Sequence, residues 1–379
     1  MHSIWLVVAI AALSSSARAG QIGDLFYEIA DGQVAINGCD RSAEGELVMP
    51  AEIEGLPVTS IERMAFFERS GLTSITIPDS VTSIGSEAFS ACTSLSLIII
   101  PDRVTSIGRS AFEGCLGITS VTIGDTVEVI GNLAFKDCRS LKSIAIPASV
   151  RYVAPQAFAN CQSLVSLTIP DSVNRLGFKA FAHCYGLKSA TIGKSVSRIQ
   201  FSTFDRCSSL TSVTIPDSVV IIEGYAFNGC TSLTTITIPD SVTSIGDGAF
   251  FNCRSLTSVN IPDGVTSIGD RAFWDCTSLT SVTIPEAFHS QAEAERLGIS
   301  HLWPNGFFFP SSVKQTAELS IRLPLQLTLT GDQNTSAVIE ATDSANGPWT
   351  EWRTVIIGEE GTTEVDLDEG AEKRFYRVR

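Results

Sequence analysis

The sequence is poor in the groups that usually carry chemistry. It holds four histidines in 379 residues. Past the N-terminal segment these are His183, His289 and His301, scattered along the chain with no nucleophile–histidine–acid logic. No HExxH motif and no Gly-rich phosphate loop occurs, which removes two common routes to metal hydrolysis and nucleotide binding. His183 adjoins Cys184, but neighbours on a helical turn point apart. No catalytic residue, metal site or cofactor is therefore expected. Positive charge is also scarce: 26 Lys and Arg stand against 41 Asp and Glu, for a net charge of −15 and a pI near 4.7. Such a surface repels phosphates, so nucleic acid is not an expected partner. Long apolar runs are missing too. The run Ile4–Leu13 is too short for a spanning helix, and no later stretch approaches the length that a bilayer demands. The apolar fraction of 44% is still ample for a buried core.

The first twenty residues, MHSIWLVVAIAALSSSARAG, pair that apolar run with small residues and Ala17-Arg18-Ala19. They read as a secretory signal peptide over residues 1–19, cleaved after Ala19, although the segment before the apolar run has no Lys or Arg. No cysteine lies just after the cleavage point, where a lipid anchor would need one, and no wall-sorting motif is seen, so a soluble, extracytoplasmic mature chain (secreted or at a cell surface) is expected.

What the chain has in abundance is repetition. Phenylalanine recurs at Phe66, Phe89, Phe112, Phe135, Phe158, Phe181, Phe204, Phe227, Phe250 and Phe273, always 23 residues apart. Cysteine recurs with the same step at Cys92, Cys115, Cys138, Cys161, Cys184, Cys207, Cys230, Cys253 and Cys276. A fixed period of this length marks a solenoid whose units cannot bury their apolar faces alone. In the unit Leu72–Ser94, LTSITIP reads as a strand with Ile75 and Ile77 on one face. PDS reads as a turn. Val81 and Ile84 lead the return path inward, Gly85 permits a tight bend, and SEAFSAC forms one short helical turn capped by Ser86. Ala88, Phe89 and Cys92 then face the core.

These LTSVTIPDSVTSIGDGAFxxC units, with the opening segment LVMPAEIEGLPVTSIERMAF (Leu47–Phe66), resemble the BspA-type leucine-rich repeat of bacterial and protist surface proteins. The resemblance implies a right-handed stack of strand plus short helical turn, about ten 23-residue rungs, and a role in adhesion to host or neighbouring cells. It covers roughly Asp24 to Ile284. The expected domains are an N-terminal β-hairpin cap (20–46), the solenoid (47–284), a helical C-terminal cap and linker (285–304) and an all-β, sandwich-like domain (305–379). Asp31-Gly32 signals the type I′ turn of the hairpin. Ser290, Glu293 and Gly298 form a capping box and a helix stop in the second cap. Beyond Pro304, segments such as AELSIRLPLQLTLTG and KRFYRVR read as strands between Gly, Asp and Asn turns. The ending looks like terminal accessory domains of secreted bacterial proteins.

Four columns could carry function. The cysteines, in single file with parallel Cβ vectors, suit neither disulfides nor zinc and read as small core residues; Cys39, outside the column, reads as a free thiol of the cap. Asp79, Asp102, Asp125, Asp171, Asp217, Asp240 and Asp263 share one turn position, interrupted by Ala148 and Lys194, and read as turn chemistry rather than a calcium ladder. Outward Ser and Thr residues line the strands, interrupted by Leu97 and Ile99, with almost no aromatics to stack on a sugar. Finally, Leu141–Arg206 contains eight basic residues and two acidic ones, so the rest of the chain carries −21. Arg151, Arg175, Lys179, Lys188, Lys194 and Arg198 are the candidate ligand-binding residues there, in the company of Tyr152, Phe178 and Tyr185. The expectation is a non-catalytic binding protein that recognises a protein or glycan, with the charge favouring an anionic one. The alternatives are a spacer that displays the β-domain and a polysaccharide-binding accessory protein.

Overall fold

The structure, a computed structural model, describes residues 18–288 and 290–302 and, beyond them, six strands between Glu318 and Val378. The apolar signal-peptide run, His289 and the linker after Leu302 lie outside the described residues.

Each 23-residue unit makes one turn of a β-solenoid and contributes two strands. A long strand, Leu72–Thr76 in the unit dissected above, is followed by the PDS turn and by a two-residue strand, Ser83–Ile84. Both pair in parallel with their counterparts one rung away: Ser120–Ile123 lies in register on Leu97–Ile100, and Ser106–Ile107 on Val129–Ile130. The short ladder comes from the TSI words after the turn, which the sequence reading had treated only as a return path.

The segment expected as a short helical turn is instead a run of β-turns that hydrogen-bonds to the next rung. The N–H groups of Ala88, Ser90 and Cys92 close turns on Gly85, Glu87 and Phe89 of their own rung. Those of Glu87, Phe89 and Ala91 donate onward to the carbonyls of Arg109, Ala111 and Glu113. A helix would turn every donor inward along its own axis; here every second donor is needed by the neighbouring rung. The geometry demands a left-handed residue two places before and two places after every core phenylalanine, as at Glu87 (φ 59°) and Ala91 (φ 60°) around Phe89. Only Gly114, Gly229 and Gly248 meet this demand with glycine. At the other positions the inter-rung hydrogen bonds offset the cost of a left-handed side-chain-bearing residue.

The ten phenylalanines are fully buried and stack face to face, with centroids 4.9–5.9 Å apart. The cysteines lie beside them. Each of the nine in the column donates its thiol to the carbonyl of the core phenylalanine one rung earlier, as Cys92 Sγ does to Phe66 O at 3.0 Å and Cys184 Sγ to Phe158 O at 3.3 Å. Cysteine thus suits the position as a small apolar side chain that can still satisfy a buried acceptor.

Both ends of the stack are closed. At the start, β1 (Arg18–Ile22), β2 (Leu25–Ala30) and β3 (Gln33–Cys39) form an antiparallel sheet whose last strand joins the short ladder at Leu56–Ile61. Asp31 (φ 52°) and Gly32 (φ 74°) make the expected hairpin turn. Cleavage after Ala19 would remove Arg18 and Ala19 from β1, with the Arg18–Glu54 ion pair, and leave Gly20–Ile22 paired to Leu25–Tyr27. Arg69 stands where later rungs carry cysteine. Its guanidinium donates to Phe67 O at 2.7 Å and Cys39 O at 2.9 Å, serving a carbonyl that has no earlier rung to bond. At the far end, the helix α1 (Gln291–Leu297) offers its final carbonyls to the last rung: Arg271 N–H reaches Arg296 O and Phe273 N–H reaches Leu297 O. Ser290 caps α1 by accepting from Glu293 N, and Gly298 ends it at φ 84°. Only half of the capping box forms, because the Glu293 carboxylate pairs with Arg296 instead.

The C-terminal strands belong to a separate unit, Phe309–Arg379. Their backbones form two three-stranded antiparallel sheets. In the first, Gln326–Thr330 lies between Glu318–Arg322 and Thr362–Asp366. In the second, Ser336–Thr342 lies between Thr350–Ile356 and Phe375–Val378.

Candidate binding surface

A solenoid places equivalent positions of successive rungs side by side, so a binding surface is read by column. Two members of the Asp turn column cap the backbone of the next rung: Asp102 Oδ1 accepts from Asp125 N at 3.1 Å, and Asp171 Oδ1 from Lys194 N at 2.8 Å. Among the described residues no group of three or more His, Cys, Asp or Glu is gathered to hold a metal ion.

All ten thiols are free and buried. Burial pushes Cys184 and Cys276 up to about 12. Cys39 rises to about 11, chiefly through burial, with Arg69 pulling the other way. These thiols stay protonated and are shielded from oxidants and metals alike. His183 Nδ1 lies 3.1 Å from the Tyr185 hydroxyl and its Nε2 lies 3.7 Å from Asp205, while Cys184 faces the core.

The six basic candidates do not form one patch. Arg151, Arg175 and Arg198 lie exposed on the short-strand ladder. Arg175 and Arg198 share one column with Tyr152, where consensus rungs carry Ser83, Ser106, Ser244 and Ser267. The guanidinium of Arg175 covers the Tyr152 ring at 4.5 Å, and Arg151 precedes that ring in the chain. Lys194 sits on the turn between the two ladders, Lys188 just before the long strand Ser189–Thr191, and Lys179 in the left-handed position (φ 55°) before Phe181. The charge on Arg198 is countered by Glu223 at 2.9 Å. Sequence reasoning missed that pair because Glu223 occupies a position that most other rungs give to glycine, as at Gly85, Gly108 and Gly246. It also missed Phe201 and Tyr225, whose rings meet edge to face at 5.7 Å.

The repeat geometry has a counterpart among known families. The model described as the BspA type leucine rich repeat region, in six copies, matches residues 59–188 and 175–294. The chain belongs to the BspA-type leucine-rich-repeat family. Similar solved structures include a leucine-rich repeat protein from Bacteroides ovatus (24% identity over 75% of this chain and 98% of that one, TM-score 0.43). A leucine rich cell surface protein from Faecalibacterium prausnitzii is 26% identical over 76% of this chain and 99% of that one, with a TM-score of 0.40. A leucine-rich repeat protein from Eubacterium ventriosum is 23% identical over 76% and 77%, with a TM-score of 0.43. No curated protein matches the chain. Among the described residues of this BspA-type repeat protein, no helix is long and apolar enough to cross a membrane.

Proposed function

We propose that this BspA-type repeat protein is exported and non-catalytic, and that it binds a protein or glycan at a cell surface through the short-strand face of its middle rungs. The observation that carries this reading is the column Tyr152–Arg175–Arg198 with Arg151 beside it. Serine-rich columns become cationic and aromatic there, on a chain whose net charge is −15. The Arg175 guanidinium is held over the Tyr152 ring at 4.5 Å, which supports bidentate contact with a carboxylate or sulfate. An anionic group on the partner is the natural complement, and the surrounding negative charge disfavours the wrong ligands.

The test is binding to an array of glycans and matrix proteins at two salt concentrations, with the mature chain (20–379) and its Arg151→Glu/Arg175→Glu variant. The expected result is at least one salt-sensitive hit that the variant loses. Retention of every hit by the variant would refute the role of this column. Absence of any hit would count against the binding reading and favour the spacer reading.

A further inference from the structure

The short-strand side carries a second feature three rungs further on. Gly224 occupies the column position that holds Phe178 and Phe201 in the two preceding rungs and Asp247 and Asp270 in the two following ones. The missing side chain leaves a groove of about 400 Å³, with Ser244 and Ser267 among its lining residues. That volume lies in the range of small-molecule sites. The Phe201 ring leans over the gap: a Cβ on Gly224 would lie 3.5 Å from its Cδ2. Tyr225 meets it edge-on with an interplanar angle of 71°. Both rings are over one third exposed, at 42% and 39%. A larger groove of about 560 Å³ against the N-terminal cap is lined by residues such as Glu28, Gln33 and Arg63 and has no aromatic side chain.

The acidic groups in this groove are already held in place. Glu223 takes the Arg198 guanidinium on Oε1 at 2.9 Å and the Phe201 N–H on Oε2 at 3.0 Å. Asp247 Oδ1 accepts the Asp270 N–H at 2.9 Å, and Asp270 itself pairs with Arg296 at 3.0 Å. Arg198 balances the charge of Glu223, and the Asp270 N–H fixes the orientation of the Asp247 carboxylate. Each oxygen still has a further lone pair for a hydroxyl donor. Fixed acceptors, two serine hydroxyls, a floor that backbone reaches closely and two exposed rings match a ligand with an apolar face and hydroxyls around its rim.

We infer that the groove between Phe201 and Tyr225 binds a neutral saccharide, one pyranose face lying against one of the two rings while the other ring flanks it, and its hydroxyls donating to Glu223 and Asp247. The site adjoins the basic column through the Arg198–Glu223 pair but does not use Arg151, Tyr152 or Arg175.

Saturation-transfer NMR on the full chain with cellotetraose, chitotetraose and mannotetraose tests this. At least one sugar should bind, with an affinity insensitive to salt and to Arg175→Glu. Binding should weaken at least about tenfold, or 1.4 kcal/mol, in Phe201→Ala/Tyr225→Ala. Gly224→Leu, which fills the groove from another direction, should act likewise. Circular dichroism melts establish that both variants remain folded. Absence of transfer to all three sugars overturns the inference, as does binding that survives in the folded Phe201→Ala/Tyr225→Ala variant. Binding of tetralysine in place of the sugars would mark a cation site and also overturn it. Loss through Arg175→Glu alone would report the basic column instead.

Discussion

The rungs around Phe112 and those around Phe204 share one core and differ at nearly everything outside it. From Phe89 to Phe158 the stacked rings sit 5.1–5.3 Å apart and within 3–4° of parallel. Between Phe181 and Phe204 the spacing opens to 5.9 Å and the tilt to 13°. The short-strand ladder is divided at the same level, between Arg175–Leu176 and Arg198–Ile199. The buried residue before phenylalanine is alanine in every other rung but Thr203 here, fully buried and bonded through Oγ1 to Gln200 O at 2.8 Å. One extra branch and a hydroxyl in a close-packed column force neighbours apart. The outward side chains of the same rungs are Arg175, Phe178, Arg198 and Phe201. Regular rungs supply stiffness through repetition, and the irregular ones supply distinct chemistry at a small loss of packing.

The largest expected effect acts on both regions. Nine thiols have folded values raised above the ordinary 9.0, among them Cys39 at about 11 and Cys184 at about 12. The unfolded chain releases these protons first. Stability is therefore complete below pH 9 and falls as pH climbs toward the folded values, by about 1.4 kcal/mol per pH unit for each thiol. Urea midpoints measured from pH 7.5 to 10.5 should collapse above pH 9; a flat profile would contradict thiol burial. Next, Phe135→Ala should cost about 3–5 kcal/mol, and Phe204→Ala a value nearer the lower end, because its stack is already looser. Equal losses in chemical denaturation would remove the packing difference between the regions. Gly131→Ala places a Cβ 2.5 Å from Ile107 O and should cost about 1–3 kcal/mol. Gly224→Ala meets nothing closer than Asp247 O at 3.1 Å and should cost about half as much or less. The smallest effect is Thr203→Ala, expected to change stability by less than about 1 kcal/mol while slowing amide exchange at Arg198–Ile199. Unchanged exchange would mean that Thr203 does not open the seam.

The core was legible because the 23-residue period repeats Phe in ten rungs and Cys in nine of them. The turn ladder was not, since left-handed residues such as Leu133, Gln156 and Lys179 carry no sequence signal for that conformation. Their backbone is set by hydrogen bonds to the next rung, a contact between residues more than twenty positions apart. The candidate site was half legible. Excess charge in the middle rungs was visible, and Arg151, Arg175 and Arg198 do fall at or beside the short-strand position of successive rungs, although the ladder is divided between Arg175 and Arg198. Lys179, Lys188 and Lys194 scatter because they occupy different phases of the repeat. The contacts Arg198–Glu223 and Phe201–Tyr225 join positions 25 and 24 residues apart. Spacing analysis at 23 passes over them.

The central claim is that recognition resides in the irregular rungs rather than in the array as such. The most direct measurement returns those positions to the small polar residues of regular rungs, as Arg151→Thr, Tyr152→Ser, Arg175→Ser, Arg198→Ser, Phe201→Asp and Tyr225→Ser in one chain, and probes the glycan and matrix-protein array beside wild type. The account predicts that the hits vanish while the melting temperature holds or rises. The same hits on the regularised chain would contradict it.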